Sequence, residues 1–88
     1  MNKKIIVISA VWCPSCLILK KNLKKLKKDY QDIEIETLDY DFDDIEKYNV
    51  SNKLPVMISI EDDKEIDRLI GEKSYEEIIE FLRKSEVI

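Results

Sequence analysis

Two cysteines, Cys13 and Cys16, have two residues between them in a chain of 88 residues that contains no histidine. At that spacing the thiols can close an internal disulfide and reopen it against another one, by attack of a thiolate on a disulfide sulfur. The rest of the composition removes most competing chemistries. Without histidine there is no Cys–His dyad inside the chain. Two thiols alone cannot complete a four-ligand zinc site, and a secreted disulfide scaffold normally carries more cysteines than this. Three roles remain: a redox pair, a metal or iron–sulfur site shared between two chains through paired Cys13 and Cys16, or two small buried hydrophobes.

The elements around the pair favour the first. Lys4–Ala10 is a continuous β-branched run, which suits a strand buried on both faces. From Pro14 to about Asp29, Cys16, Leu19, Leu23, Leu26 and Tyr30 recur at helical spacing, with lysines filling the other positions. Cys13 therefore falls on the N-cap of a helix and Pro14 on its first position, where a missing N–H costs nothing. Backbone N–H groups near Ser15 and Cys16 then point back at the Cys13 sulfur, and with the helix dipole they favour the thiolate. An N-cap is normally exposed, whereas Cys16 lies a turn further in and faces the core. Cys13 is thus the expected nucleophile and Cys16 the resolving thiol.

Further along, Ile33–Leu38 alternates as a second strand. Asp41-Phe42-Asp43-Asp44 reads as a helix start capped by Asp41, giving a short helix to about Tyr48 with Phe42, Ile45 and Tyr48 inward. Pro55–Ile60 reads as a third strand opened by proline. Glu61–Lys64 is a turn with a weak signal, and Glu65–Ile70 is a fourth strand closed by Gly71. Ser74-Tyr75-Glu76-Glu77 is a capping box for a final helix. The order is β-α-β-α-β-β-α, a single α/β domain over residues 1–88. The first crossover makes strands one and two parallel, and the short turn makes strands three and four an antiparallel hairpin.

Hydrophobic residues at 44% and charged residues at 39% describe a globular, very soluble chain. A net charge of −4 speaks against nucleic-acid binding driven by bulk electrostatics. No apolar run is long enough to span a bilayer. The N-terminal basic-then-apolar stretch runs straight into Trp12-Cys13-Pro14-Ser15-Cys16 and is read as a core strand rather than a leader, which implies a cytoplasmic protein. The lysines at positions 20–28 are read as a solvated helix flank, and Asp39, Asp41, Asp43 and Asp44 as loop and cap residues rather than metal ligands.

Three separated features now carry a resemblance to the thioredoxin superfamily. Trp12-Cys13-Pro14-Ser15-Cys16 is similar to its active-site pattern, with thioredoxin's preceding Trp and glutaredoxin's Pro after the first Cys. Leu54-Pro55 is similar to its cis-proline, and Gly71 falls at its usual glycine before the last helix. The resemblance implies a four-stranded mixed sheet in order 2-1-3-4 with strand three antiparallel, helices one and three on one face, and helix two on the other. It implies a cis Leu54–Pro55 bond that binds extended substrate beside the cysteines, with Trp12, Pro14 and Ser15 supporting the site. The activity implied is thiol–disulfide exchange with protein disulfides, as a reductase serving cell redox homeostasis. No cofactor beyond the Cys13–Cys16 disulfide and no metal are implied. The partners expected are protein disulfides and, as reductant, a thioredoxin-reductase-like flavoprotein or glutathione, with no nucleic acid and no membrane, the chain acting as a monomer.

The sequence also departs from the family. Val7 stands where thioredoxins carry a buried acid and Thr37 where they carry its lysine partner. Gly71-Glu72-Lys73-Ser74 replaces the Gly-Gly and nearby Asp with which glutaredoxins hold glutathione. Two alternatives stay open: a glutaredoxin-like or dedicated electron donor to one reductase, such as a ribonucleotide reductase, and a dimeric metal or iron–sulfur binding module.

Overall fold

In the computed structural model, which describes residues 3–88, the N-terminal β-branched run becomes the strand around which both faces are built. The elements are β1 (Lys3–Ser9), α1 (Pro14–Asp29), β2 (Ile35–Asp39), a 3-10 turn (Glu46–Tyr48), β3 (Val56–Glu61), β4 (Lys64–Ile70) and α2 (Tyr75–Lys84). The strands form one sheet in the order β2-β1-β3-β4. β1 runs parallel to β2, with Ile5 opposite Ile35 and Val7 opposite Thr37. It runs antiparallel to β3, with Val7 opposite Met57, and β3 runs antiparallel to β4. This is the sheet that the resemblance implied, and the strand limits differ from those read in the sequence by one or two residues.

Side chains alternate across β1 and β3, so each strand feeds two apolar clusters. Ile5, Val7 and Met57 meet Leu19 and Leu26 of α1 and Ile78, Phe81 and Leu82 of α2 on one face. Ile6, Ile8, Val56, Ile58 and Ile60 meet Leu54 and both cysteines on the other. Each such fully buried aliphatic side chain is worth roughly 1.5–3 kcal/mol relative to exposure. The helical stripe read from Cys16 to Tyr30 is therefore split. Leu19 and Leu26 serve the α2 side, while Cys16 in the first turn of α1 belongs to the opposite cluster.

The second face corrects one expectation. No α-helix forms over residues 41–48; only the 3-10 turn does, so among the described residues there are two α-helices rather than three. The local carboxylates explain it. The Asp39 side chain accepts from the amides of Asp41 and Phe42 at 2.8 and 3.2 Å, and that of Asp43 accepts from the Asp39 amide at 2.7 Å. Such bonds offer the backbone an alternative to the helical ladder. Asp41 does not cap, and Phe42 is 81% exposed instead of facing inward. Ile45, Tyr48 and Val50 do pack on the cysteine-bearing cluster. Arg68 of β4 fixes that stretch, donating to the Tyr48 carbonyl at 2.8 Å while it grips Glu65 through two bonds of 2.6 Å.

The β3–β4 connection is a two-residue turn in which Asp62 and Asp63 both have positive φ, 51° and 68°. That is the primed geometry hairpins favour, and Asp tolerates it although Gly or Asn is commoner. Ser74 caps α2 in the expected box, accepting from the Glu77 amide at 3.2 Å. Among the described residues no helix is long and apolar enough to cross a membrane.

The two-cluster arrangement predicts sharply different costs for two truncations. Ile58→Ala should lower unfolding stability by about 2–5 kcal/mol, whereas Phe42→Ala should stay within about 0.5 kcal/mol. Urea denaturation followed by circular dichroism separates them, and equal losses would contradict the assignment of Phe42 to solvent.

Candidate active site

β1 ends against the start of α1, and the four-residue connection places the cysteines. The Cys13 amide donates to the Ala10 carbonyl at 3.2 Å, closing a tight turn through Val11 and Trp12. Cys13 then adopts the extended N-cap conformation, φ −97° and ψ 112°, with Pro14 in the first helical turn. Its sulfur accepts from the Cys16 amide at 3.3 Å. The thiol thus occupies the place of the oxygen that usually caps a helix, where the unsatisfied amides and the helix dipole favour negative charge. No acidic side chain sits in that first turn to compete. Cys13 is less exposed than an N-cap was expected to be, at 6%, because it packs with Ala10 and Leu54 in the second apolar cluster. Cys16 is deeper, at 1%.

Burial pushes the Cys16 thiol up from an ordinary 9.0 to about 11. A hydrogen bond to the Cys13 sulfur, in which the Cys16 thiol is the donor, adds to this; a contact with the Ala10 backbone and the charge of Lys20 oppose it. Cys16 is therefore held protonated behind its partner.

The other two features of the resemblance converge here. The Leu54–Pro55 peptide bond is cis, and both residues are buried. The Pro55 carbonyl accepts from the Gly71 amide at 2.8 Å. Gly71 has φ 90°, a conformation that any side chain would strain. Residues 13–16, 54–55 and 71 are far apart in the chain, yet hydrogen bonds and shared packing draw them into one site.

A thioredoxin family model matches residues 1–84. The chain belongs to the thioredoxin family. Solved structures agree. A malaria-parasite thioredoxin-2, described as a component of that parasite's protein secretion machinery, superposes with a TM-score of 0.79 at 26% identity, covering 96% of this chain and 85% of that one. The Fasciola hepatica thioredoxin gives a TM-score of 0.85 at 24% identity, with coverage of 96% and 81%. The reduced Schistosoma mansoni thioredoxin pre-protein gives 0.82 at 24%, with 94% and 78%. At that identity the two flatworm proteins show the shared fold. Family membership makes this chain a thiol–disulfide oxidoreductase of the thioredoxin type.

Within this thioredoxin fold the departures acquire geometry. Val7 and Thr37 are register partners on β1 and β2, so the family's buried acid and lysine are replaced together. Trp12 is 54% exposed. Its indole N–H donates to Asp41 at 2.7 Å, and its ring meets Tyr40 edge-on at a centroid distance of 6.1 Å. The Ser15 hydroxyl donates to Glu72 at 2.9 Å. Asp41 was read in the sequence as a cap and Glu72 only as a break from the glutathione-binding pattern, so both contacts were missed. They join residues 29 and 57 positions apart, and no local spacing announces such a pair. Among the described residues no group of three or more His, Cys, Asp or Glu side chains is arranged to hold a metal ion.

The raised Cys16 pKa yields a direct test. In a Cys13→Ser variant the contributions of the neighbouring sulfur disappear but burial, the largest cause, remains. Alkylation of Cys16 by iodoacetamide, followed against pH, should therefore still show its midpoint above 9.0. A midpoint at or below that value would contradict the burial argument.

Proposed function

We propose that Cys13 and Cys16 form the redox couple of a cytoplasmic protein-disulfide reductase, a single domain over residues 1–88 acting as a monomer. The observation that carries this reading is the Cys16 amide held on the Cys13 sulfur with the Cys16 thiol packed behind it. The Cys13 thiolate attacks one sulfur of a substrate disulfide. The substrate S–S bond breaks, one substrate sulfur leaves as a thiolate, and a mixed disulfide forms. Cys16 then loses its proton and attacks the Cys13 sulfur, expelling the second substrate thiolate and closing the Cys13–Cys16 disulfide. Two electrons pass from the protein to the substrate. With Val7 and Thr37 replacing the family's acid and lysine, the base for Cys16 is water or a group outside that pair, and the positive charge of Lys20 assists the ionisation.

Trp12, Pro14 and Ser15 support the pair, and Leu54 and cis-Pro55 are assigned to binding an extended substrate segment beside it. A cytoplasmic location suits a couple that must be kept as thiols. The reductant assigned is a flavoprotein of the thioredoxin-reductase kind, because Gly71-Glu72-Lys73-Ser74 lacks the glycine pair and nearby aspartate with which glutaredoxins seat glutathione.

Two variants and one potential test the reading. Cys13→Ser should abolish reduction of insulin disulfides, while Cys16→Ser should trap a mixed disulfide visible by mass spectrometry; undiminished turnover by Cys13→Ser would reject the assignment. The potential should lie near the about −270 mV of a reductant, and a value near the about −120 mV of an oxidant would reject the direction. Recovery of the oxidised protein by a flavoprotein reductase and not by glutathione is the expected outcome for the reductant.

A further inference from the structure

Two exposed carboxylates are each fastened by a hydrogen bond to the segment that carries the cysteines. Asp41 takes the indole proton of Trp12, immediately before Cys13, at 2.7 Å. Glu72 takes the hydroxyl proton of Ser15, between the cysteines, at 2.9 Å. Glu72 also follows Gly71, whose amide is bonded to the Pro55 carbonyl, so it stands where the cysteine segment and the proline loop meet. These hydrogen bonds hold the charges in place and do not neutralise them. Anionic charge continues along the Asp41 side, where Asp39 ends β2, Asp43, Asp44 and Glu46 follow it, and no basic residue occurs before Lys47. Basic charge near the site is represented by Lys20, whose charge reaches Cys16 from α1, by the exposed Lys53 next to Leu54, and by Lys73 beside Glu72. Exposed apolar side chains neighbour these residues in the chain: Val11 and Trp12 before Cys13, Phe42 after Asp41, and Ile70 before Gly71.

We infer that Asp41 and Glu72 are specificity-determining residues that select disulfides flanked by lysine or arginine. This rests on the dithiol–disulfide reading above and narrows it to a substrate class. The two carboxylates are bonded to the residues on either side of Cys13 in the chain, Trp12 and Ser15, so a polypeptide disulfide that reaches Cys13 comes near both. A cationic flank gains attraction from them and an acidic flank meets repulsion, while the exposed apolar side chains take the peptide's own apolar groups. Charges arranged in this way act chiefly on encounter rate and partner choice, and salt screens them within about 8–10 Å.

The test uses single-turnover reduction of three disulfide-linked peptide dimers, identical except for lysine, serine or glutamate on either side of the cysteine, by the pre-reduced full chain. At low ionic strength each carboxylate should favour the lysine over the serine peptide by about threefold, and the lysine-to-glutamate rate ratio should fall towards one as salt is raised. In an Asp41→Asn/Glu72→Gln double variant that ratio should drop several-fold. A Glu76→Gln/Glu80→Gln variant, which changes net charge equally on exposed positions of α2, should keep the native ratio. A native ratio at or below one would overturn the inference, as would equal drops in the two double variants or no drop in the first. Failure of the native protein to reduce any of the three peptides would overturn the underlying redox reading, and the selectivity with it. Reduction of all three at equal rates would remove the selectivity alone.

Discussion

A single hydrogen bond orders the site: the Cys16 amide given to the Cys13 sulfur at 3.3 Å. It exists because a strand buried on both faces stops at Ser9 and a helix begins at Pro14, leaving just enough chain to turn once and present a thiol as the cap. Proline in the first helical turn fixes the backbone there without sacrificing a needed amide. The same bond sets the order of the two sulfurs. The capping sulfur is the less deeply buried of the two, at 6% against 1%, and the sulfur one turn further in is protonated and in contact with it. Shifting the helix start by one residue would move both thiols out of these roles.

What surrounds the bond is mostly scaffolding for it. The central strand must be apolar on both sides, so Ile5 and Val7 serve one cluster and Ile6 and Ile8 the other. The second cluster includes the cysteines and Leu54, so packing on that face and chemistry at its end are inseparable. Gly71, through its positive φ and its bond to the Pro55 carbonyl, ties the end of β4 to the proline loop. The 46–48 turn, tied down by Arg68, closes the lower part of the face that a helix was expected to cover.

Much of this was legible in the sequence because it is encoded locally. Continuous β-branching marked β1, helical periodicity and proline marked α1, and Ser74 with Glu77 marked α2. The placement of the cysteine pair at the head of α1 followed from the strand–helix junction, and the cis bond from resemblance alone. The stretch from Asp41 to Tyr48 was misread, since its acidic residues suit a helix start, but Asp39 and Asp43 satisfy turn amides there and the turn prevailed. The depth of Cys13 was misjudged for a related reason: a cap position fixes a sulfur's hydrogen bond, not the neighbours that lie over it. Asp41 and Glu72 were invisible as site residues because each meets its partner only through the folded topology.

The central claim is that one sulfur of the pair is activated and reachable while the other is withheld. The most direct measurement treats the fully reduced protein near pH 7 with less than one equivalent of iodoacetamide and maps the label by peptide mass spectrometry. Label on Cys13 in large excess over Cys16 is the predicted result. Equal labelling, or label mainly on Cys16, would contradict it.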